Sequence, residues 1–210
     1  MLGDITRLRA IAPSATIALD WNGTTVNDAD RSRAALNATL HAYKLAPLDA
    51  AAFSARFQLP LSALLGGLGV NPADIAGAID HLNGQMAAGA VHLGTGAEEL
   101  LRARWALGAP TGVISAAPVS VVQRDADALG IGGHLRFVIG DAHPKSAPLR
   151  DLAVTHERPV VYVGDTEYDV TEALAAGAIP VGFAGGYRPP EALLAAGALA
   201  VITDLALLLG

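Results

Sequence analysis

Short apolar runs recur along the chain at residues 15–19, 111–114, 137–139, 160–163, 179–182 and 200–202. None alternates between apolar and polar positions, and turn-forming residues bound each one, so each reads as a strand buried on both faces. Between the later runs, apolar residues fall at helical spacing over 119–129, 147–155 and 171–176. Strands alternating with helices of this length predict an α/β fold, a doubly wound, Rossmann-like parallel sheet.

The interval between the first two runs breaks this rhythm. From Val26 to Ala109 no convincing strand is expected, whereas helical patterns cover 31–43, 49–56, 61–68, 72–89 and 97–107. Asn71-Pro72 reads as a helix start, with Asn71 as N-cap and Pro72 in the first turn. A stretch this long is not an ordinary loop. The expected organisation is a core of residues 1–25 and 95–210, with a small helical cap of 26–94 inserted after the first strand. The tail over 193–209 reads as a buried strand followed by a helix.

Composition narrows the class. Of 210 residues, 52% are hydrophobic and only 16% charged, which excludes disorder as a description of the whole chain. The net charge of −6, without clustered Lys and Arg, argues against nucleic acid as a partner. With no cysteine there is neither a disulfide nor a thiolate metal site. The polar first ten residues lack the apolar core of a signal peptide. No run approaches the roughly 20 apolar residues of a membrane span. A soluble, cytoplasmic protein without membrane contact is expected, as a monomer or homodimer.

Candidate chemistry gathers at the ends of the predicted strands, where open α/β sheets bind ligands. The first run ends in Asp20, followed by Trp21-Asn22-Gly23-Thr24-Thr25. Ser115 closes the second run, Lys145 follows the third, and Asp165 and Asp169 follow the fourth in Gly164-Asp165-Thr166-Glu167-Tyr168-Asp169. A carboxylate nucleophile, a hydroxyl, a cation and a further carboxylate pair suit phosphoryl transfer. The cation and hydroxyl hold the equatorial oxygens, and a carboxylate-bound Mg²⁺ offsets repulsion between Asp20 and the incoming phosphate. Lys145 is one of only two lysines in the chain.

In this order the four segments resemble the motifs of the haloacid dehalogenase superfamily, over residue 15 to the C-terminus. The insertion after Asp20 is similar to the type 1 helical cap of its phosphoglycolate-phosphatase-like members. The resemblance implies that Asp20 is a nucleophile forming an aspartyl-phosphate and a Mg²⁺ ligand. It makes the backbone carbonyl of Asn22 a second ligand and Asp165 a third, with Asp169 acting through water or by orienting the site. Thr24, Ser115 and Lys145 would hold phosphate, aided by the backbone amides of Gly23 and Ala116. Among cap cations, Arg31, Arg33 and above all Arg56 would meet the substrate.

One position departs from the family. Its phosphatases carry an acid at the second motif-one position, which protonates the leaving group and later activates water. Asn22 has no proton to exchange. Three expectations follow: a phosphatase in which Glu167 or His143 substitutes, or whose leaving group needs no acid; a phosphonoacetaldehyde hydrolase, which motif one also resembles, with Lys44 forming the Schiff base; or a catalytically impaired relative that binds phosphoryl ligands. Haloacid dehalogenation itself fits Lys145 and the late acids less well.

Overall fold

The computed structural model describes residues 2–86 and 91–210. The chain divides into two compact units, one of residues 1–27 and 92–210 and the other of residues 28–91.

The first unit opens with β1 (Leu2–Gly3), α1 (Ile5–Ile11), β2 (Thr16–Leu19) and β3 (Val26–Asn27). The second holds α2 (Ala29–Ala42), α3 (Ala50–Arg56), α4 (Leu61–Gly67) and α5 (Ile75–Met86). The chain re-enters the first unit through β4 (His92–Leu93), α6 (Ala97–Ala106), β5 (Thr111–Ile114), α7 (Val119–Ala128) and β6 (Val138–Ile139). It ends with α8 (Ser146–His156), β7 (Val160–Gly164), α9 (Glu167–Ala176), β8 (Ile179–Phe183), α10 (Pro190–Ala195) and β9 (Ala200–Ile202).

Seven strands form one sheet in the order β1-β9-β8-β7-β2-β5-β6, parallel except for the β1 edge. Strands β2, β5 and β7 are buried along their whole length, as their unalternating apolar sequences require. Helices α8 and α9 contribute Leu149, Leu152 and Ala173 to a core with Ala18, Ile114 and Tyr162. Leu193 of α10 packs with Val170 and Val201 in a second cluster.

At the opposite end of the sheet from the candidate residues, Arg104 is fully buried, and among the described residues no carboxylate pairs with it. Its guanidinium donates to Thr111 Oγ1 at 2.9 Å, to the carbonyls of Ala12 and Pro13 at 3.1 Å each, and to Ala15 and Pro110. A buried cation is tolerated because its donors satisfy carbonyls that precede β2 and β5.

Several expectations are corrected. Two short strands lie within the supposedly strandless interval: β3 and β4 pair antiparallel, with Val26 opposite Leu93 and Asn27 opposite His92. Two residues are too few to show periodicity, and this ladder moves the division between units inward from 26–94. The edge strand β1 and helices α1 and α10 are likewise too short to show a period. Asn71 does cap Pro72, through Ala73 N, but the turn it opens is a 3-10 turn, Pro72–Asp74, which leads into α5. Positions 87–89 of the pattern expected over 72–89 lie outside the described residues. The C-terminal helix is a 3-10 turn, Leu205–Leu209. Finally, α9 begins at Glu167 rather than 171, because Thr166 and Asp169 form a capping box. The polar first turn of α9 serves the site, so it carries no apolar stripe.

Candidate active site

Strand β2 lies between β7 and β5, where the chain's path across the sheet reverses, and its C-terminal end delivers Asp20. Leu19 is level with Val163 of β7, and Asp20 N–H donates to Val163 O at 2.8 Å. This register sets Asp20 beside Asp165, which follows β7 directly. A tight turn then fixes the loop: Thr25 donates to Asp20 O through both its hydroxyl, at 2.6 Å, and its amide, at 3.2 Å. Gly23 adopts φ +74°, and a Cβ there would come within 2.2 Å of Asp165 Oδ2. Glycine is required on both counts.

Carboxylate oxygens of Asp20, Asp165 and Asp169 lie within 4.8 Å of one another, and all three residues are buried. Lys145 is also completely buried, against the usual expectation of a solvated lysine. Its Nζ lies 2.7 Å from Asp169 Oδ1 and 2.9 Å from Asp20 Oδ1. Asp20 Oδ1 is thus ion-paired to Lys145, and among the described residues no further donor reaches it.

Asp169 is saturated. Its Oδ1 receives Lys145 Nζ and, at 3.2 Å, the Tyr162 hydroxyl, while its Oδ2 receives Thr166 N at 3.1 Å and Thr166 Oγ1 at 2.6 Å. Its donors, among them a Tyr162 hydroxyl shared with Ile114 O, commit Asp169 to Lys145 and to the first turn of α9. Asp165 is less committed, accepting Thr24 Oγ1 at 3.3 Å and Tyr187 N at 2.7 Å.

The electrostatics follow from this packing. Burial raises the Asp20 pKa from 3.8 to about 6, aided by Asp169 and opposed by Lys145. Burial, then repulsion from Asp169 and Asp20, pushes Asp165 well above the usual carboxylate range. Burial alone would lower the Lys145 pKa, but Asp169 and Asp20 outweigh it and hold the ammonium charged. Three carboxylates thus face one ammonium, and an oxygen-liganded divalent cation would neutralise the excess. Asp20 and Asp165, whose oxygens keep lone pairs that these donors leave unfilled, suit a hard cation such as Mg²⁺.

A stability test follows with a definite sign. Because the folded-state pKa of Asp20 is raised, the stability linked to its proton is present below about pH 4 and lost as pH rises through about 6. Metal-free Asp20→Asn should therefore melt a few degrees above metal-free wild type at pH 7, with the gap closing below pH 4. Calorimetric melting in a chelator checks this. An equal or lower Tm at pH 7 would contradict it.

The remaining sequence candidates fall out unevenly. Ser115, nearly fully buried, follows β5 and accepts Ala117 N–H at 3.2 Å, leaving its hydroxyl proton to donate elsewhere. Ala116, the next residue, is half-buried. Thr24 is fully buried with its hydroxyl on Asp165, so it supports a carboxylate instead of reaching for phosphate. Asn22 is half-buried on the turn after Asp20. In the second unit Arg31 is buried against Asp28 at 2.9 Å, Arg33 pairs with Asp30, and Arg56 donates to Gly67 O at 3.0 Å. Arg31 and Arg33 thus pair within the first turns of α2, and Arg56 ties the end of α3 to the end of α4. Lys44 is exposed just beyond α2.

Of the two stand-ins for the absent acid, Glu167 is corrected. Arg188 holds both its oxygens, with Nε at 3.0 and 2.9 Å and a second nitrogen at 2.6 Å from Oε1. Partial burial would raise its pKa, but the Arg188 bonds prevail and lower it, so it stays ionised. His143 is exposed, with Nδ1 2.5 Å from the Tyr168 hydroxyl. Tyr162, Tyr187 and Arg188 escaped the sequence reading. Tyr162 hides inside an apolar strand, and the other two follow β8 without any motif that strand spacing would reveal.

Fold and site together define an α/β protein that gathers carboxylates and a buried lysine at the C-terminal tips of a parallel sheet, where the acidic cluster could hold a cation. Residues 17–182 match the family model described as haloacid dehalogenase-like hydrolase, and the chain belongs to that family of hydrolases. Solved structures agree on the fold. A haloacid dehalogenase-like family hydrolase from Streptococcus pneumoniae is 18% identical with a TM-score of 0.77, over 90% of this chain and 93% of its own. A protein described as a predicted phosphoglycolate phosphatase from Haemophilus somnus gives 20% and 0.74, over 92% and 96%. CbbY from Rhodobacter sphaeroides, in complex with phosphate, gives 19% and 0.75, over 92% and 95%. Comparison with curated proteins finds no match. Among the described residues, no helix is long and apolar enough to cross a membrane.

Proposed function

We propose that this hydrolase is a Mg²⁺-dependent phosphatase of small phosphorylated metabolites, acting through an aspartyl-phosphate on Asp20. The observation that carries the reading is the buried cluster of Asp20, Asp165 and Asp169 around Lys145 at the central strand tips. The phosphate in the CbbY structure and the phosphoglycolate phosphatase description of another neighbour support a phosphate ester as substrate.

Asp20, Asp165 and the backbone carbonyl of Asn22 would hold Mg²⁺, which when bound supplies charge neutralisation to the phosphoryl group. Asp20 attacks phosphorus, the bond to the ester oxygen breaks, and the leaving group departs with that electron pair. Lys145, the Ser115 hydroxyl and the amides of Gly23 and Ala116 hold the equatorial oxygens. Asp169 and Tyr162 keep Lys145 in place. Water then cleaves the aspartyl-phosphate and regenerates Asp20. Substrate choice is assigned to the helical unit, because it is inserted in the chain just after the Asp20 loop.

Asn22 shapes which esters turn over. Neither it nor the ionised Glu167 supplies a proton, so aryl and acyl phosphates, whose leaving groups need none, should release first product rapidly. Hydrolysis of the aspartyl-phosphate, which lacks a base, then limits the rate. Stopped-flow measurement with p-nitrophenyl phosphate and Mg²⁺ should show a burst of about one nitrophenolate per active site before slow turnover. No release from any member of a panel of aryl, acyl and alkyl phosphates would favour a phosphoryl-binding relative. The Schiff-base alternative gains no support from Lys44, which lies in water without the burial that prepares an amine for imine formation.

A further inference from the structure

We propose that the loop after β8, residues 184–189, is a positioning device that sets the metal affinity of the site, with Arg188 as its anchor. The inference rests on the metal-dependent reading above.

The loop touches motif four at two points. Tyr187 N–H donates to Asp165 Oδ2 at 2.7 Å, and the adjacent Arg188 clamps Glu167, two residues beyond Asp165. Just before them the backbone closes on the carboxylate: a Cβ at Gly186 would come within 2.2 Å of Asp165 Oδ2. Gly23 closes from motif one to the same distance. Asp165 is therefore held between two backbone segments, and Oδ2 receives a fixed amide donor that sets the carboxylate plane.

Ordering a loop costs conformational entropy, and a single amide hydrogen bond offsets little of it. The bidentate Arg188–Glu167 pair is half-buried rather than exposed, so it is screened less than a surface pair. It fastens the residue next to the Tyr187 amide. Without Arg188 the loop gains freedom, the amide leaves Oδ2, and Asp165 rotates away from the orientation that receives a cation. Glu167 is thus the loop's attachment point and not a surrogate acid.

Groups that orient metal ligands typically change affinity by about 10–100-fold when lost. Calorimetric titration of the substrate-free protein with Mg²⁺ alone should show Arg188→Ala binding at least about tenfold more weakly than wild type. Arg188→Lys should fall between them, since an ammonium replaces one arm of the fork. Glu167→Gln should weaken binding too, and adding Arg188→Ala to it should cost little more. Melting temperatures in a chelator are read alongside. A lower Tm with unchanged Mg²⁺ affinity in all three variants would overturn the proposal and leave the loop purely structural. If Arg188→Ala does not fold, the Lys and Gln variants decide by the same criterion. Wild type that binds no Mg²⁺ would overturn the metal reading and this inference with it. Wild-type binding with unaffected variants overturns the inference alone.

Discussion

Asp20→Asn is expected to reduce Mg²⁺-dependent phosphate release by about 10⁴–10⁶-fold, the scale at which nucleophile removal acts in other hydrolases. The exchange keeps side-chain shape, and Lys145 retains Asp169 at 2.7 Å, so the site should stay assembled. What disappears is the oxygen nucleophile and one of the charges that would hold the cation. Loss of activity in a protein that melts at or above the wild-type temperature separates chemistry from folding. A variant retaining more than about one per cent of wild-type turnover would remove Asp20 from the role of nucleophile. Calorimetry on the same sample checks that the fold survives.

Asn22→Asp should do the opposite. Restoring an exchangeable proton two residues after Asp20 is expected to raise turnover of alkyl phosphates by about 10²–10⁴-fold, the usual contribution of a general acid–base. The gain should be larger for alkyl than for aryl phosphates in the first step, because only the alkoxide needs protonation. The burst seen with p-nitrophenyl phosphate should also shrink, since the new carboxylate activates water on the aspartyl-phosphate. Steady-state rates across leaving groups of graded pKa, with burst amplitudes for both proteins, check these statements. An unchanged rate would mean that another group already moves the proton. His143, bonded to Tyr168, would then be the group to replace, because Glu167 is held ionised by Arg188.

Much of this was legible in the sequence because it depends on local pattern. Buried parallel strands carry no alternation, so β2, β5 and β7 stand out as apolar runs, and their tips mark Asp20, Ser115 and Asp165 at once. The order of the four motifs places them along one edge. What spacing does not encode is the commitment of each side chain. Thr24 occupies the phosphate-binding position of its motif yet spends its hydroxyl on Asp165. Glu167 sits where an acid could act, but a residue 21 positions away in sequence holds it ionised. Arg31 looks like a substrate cation until Asp28, one turn earlier, is seen to bury with it. Pairings across elements decide these roles, and they exist only once the strands have brought their loops together.

The central claim is that phosphate passes through Asp20. The direct measurement is intact-mass spectrometry of wild-type protein mixed with p-nitrophenyl phosphate and quenched in acid during the slow phase, followed by peptide mapping. The account predicts a near-stoichiometric gain of one phosphoryl group, located on Asp20, dependent on Mg²⁺ and absent from Asp20→Asn. Steady turnover with no adduct, or an adduct on a different residue, would contradict it.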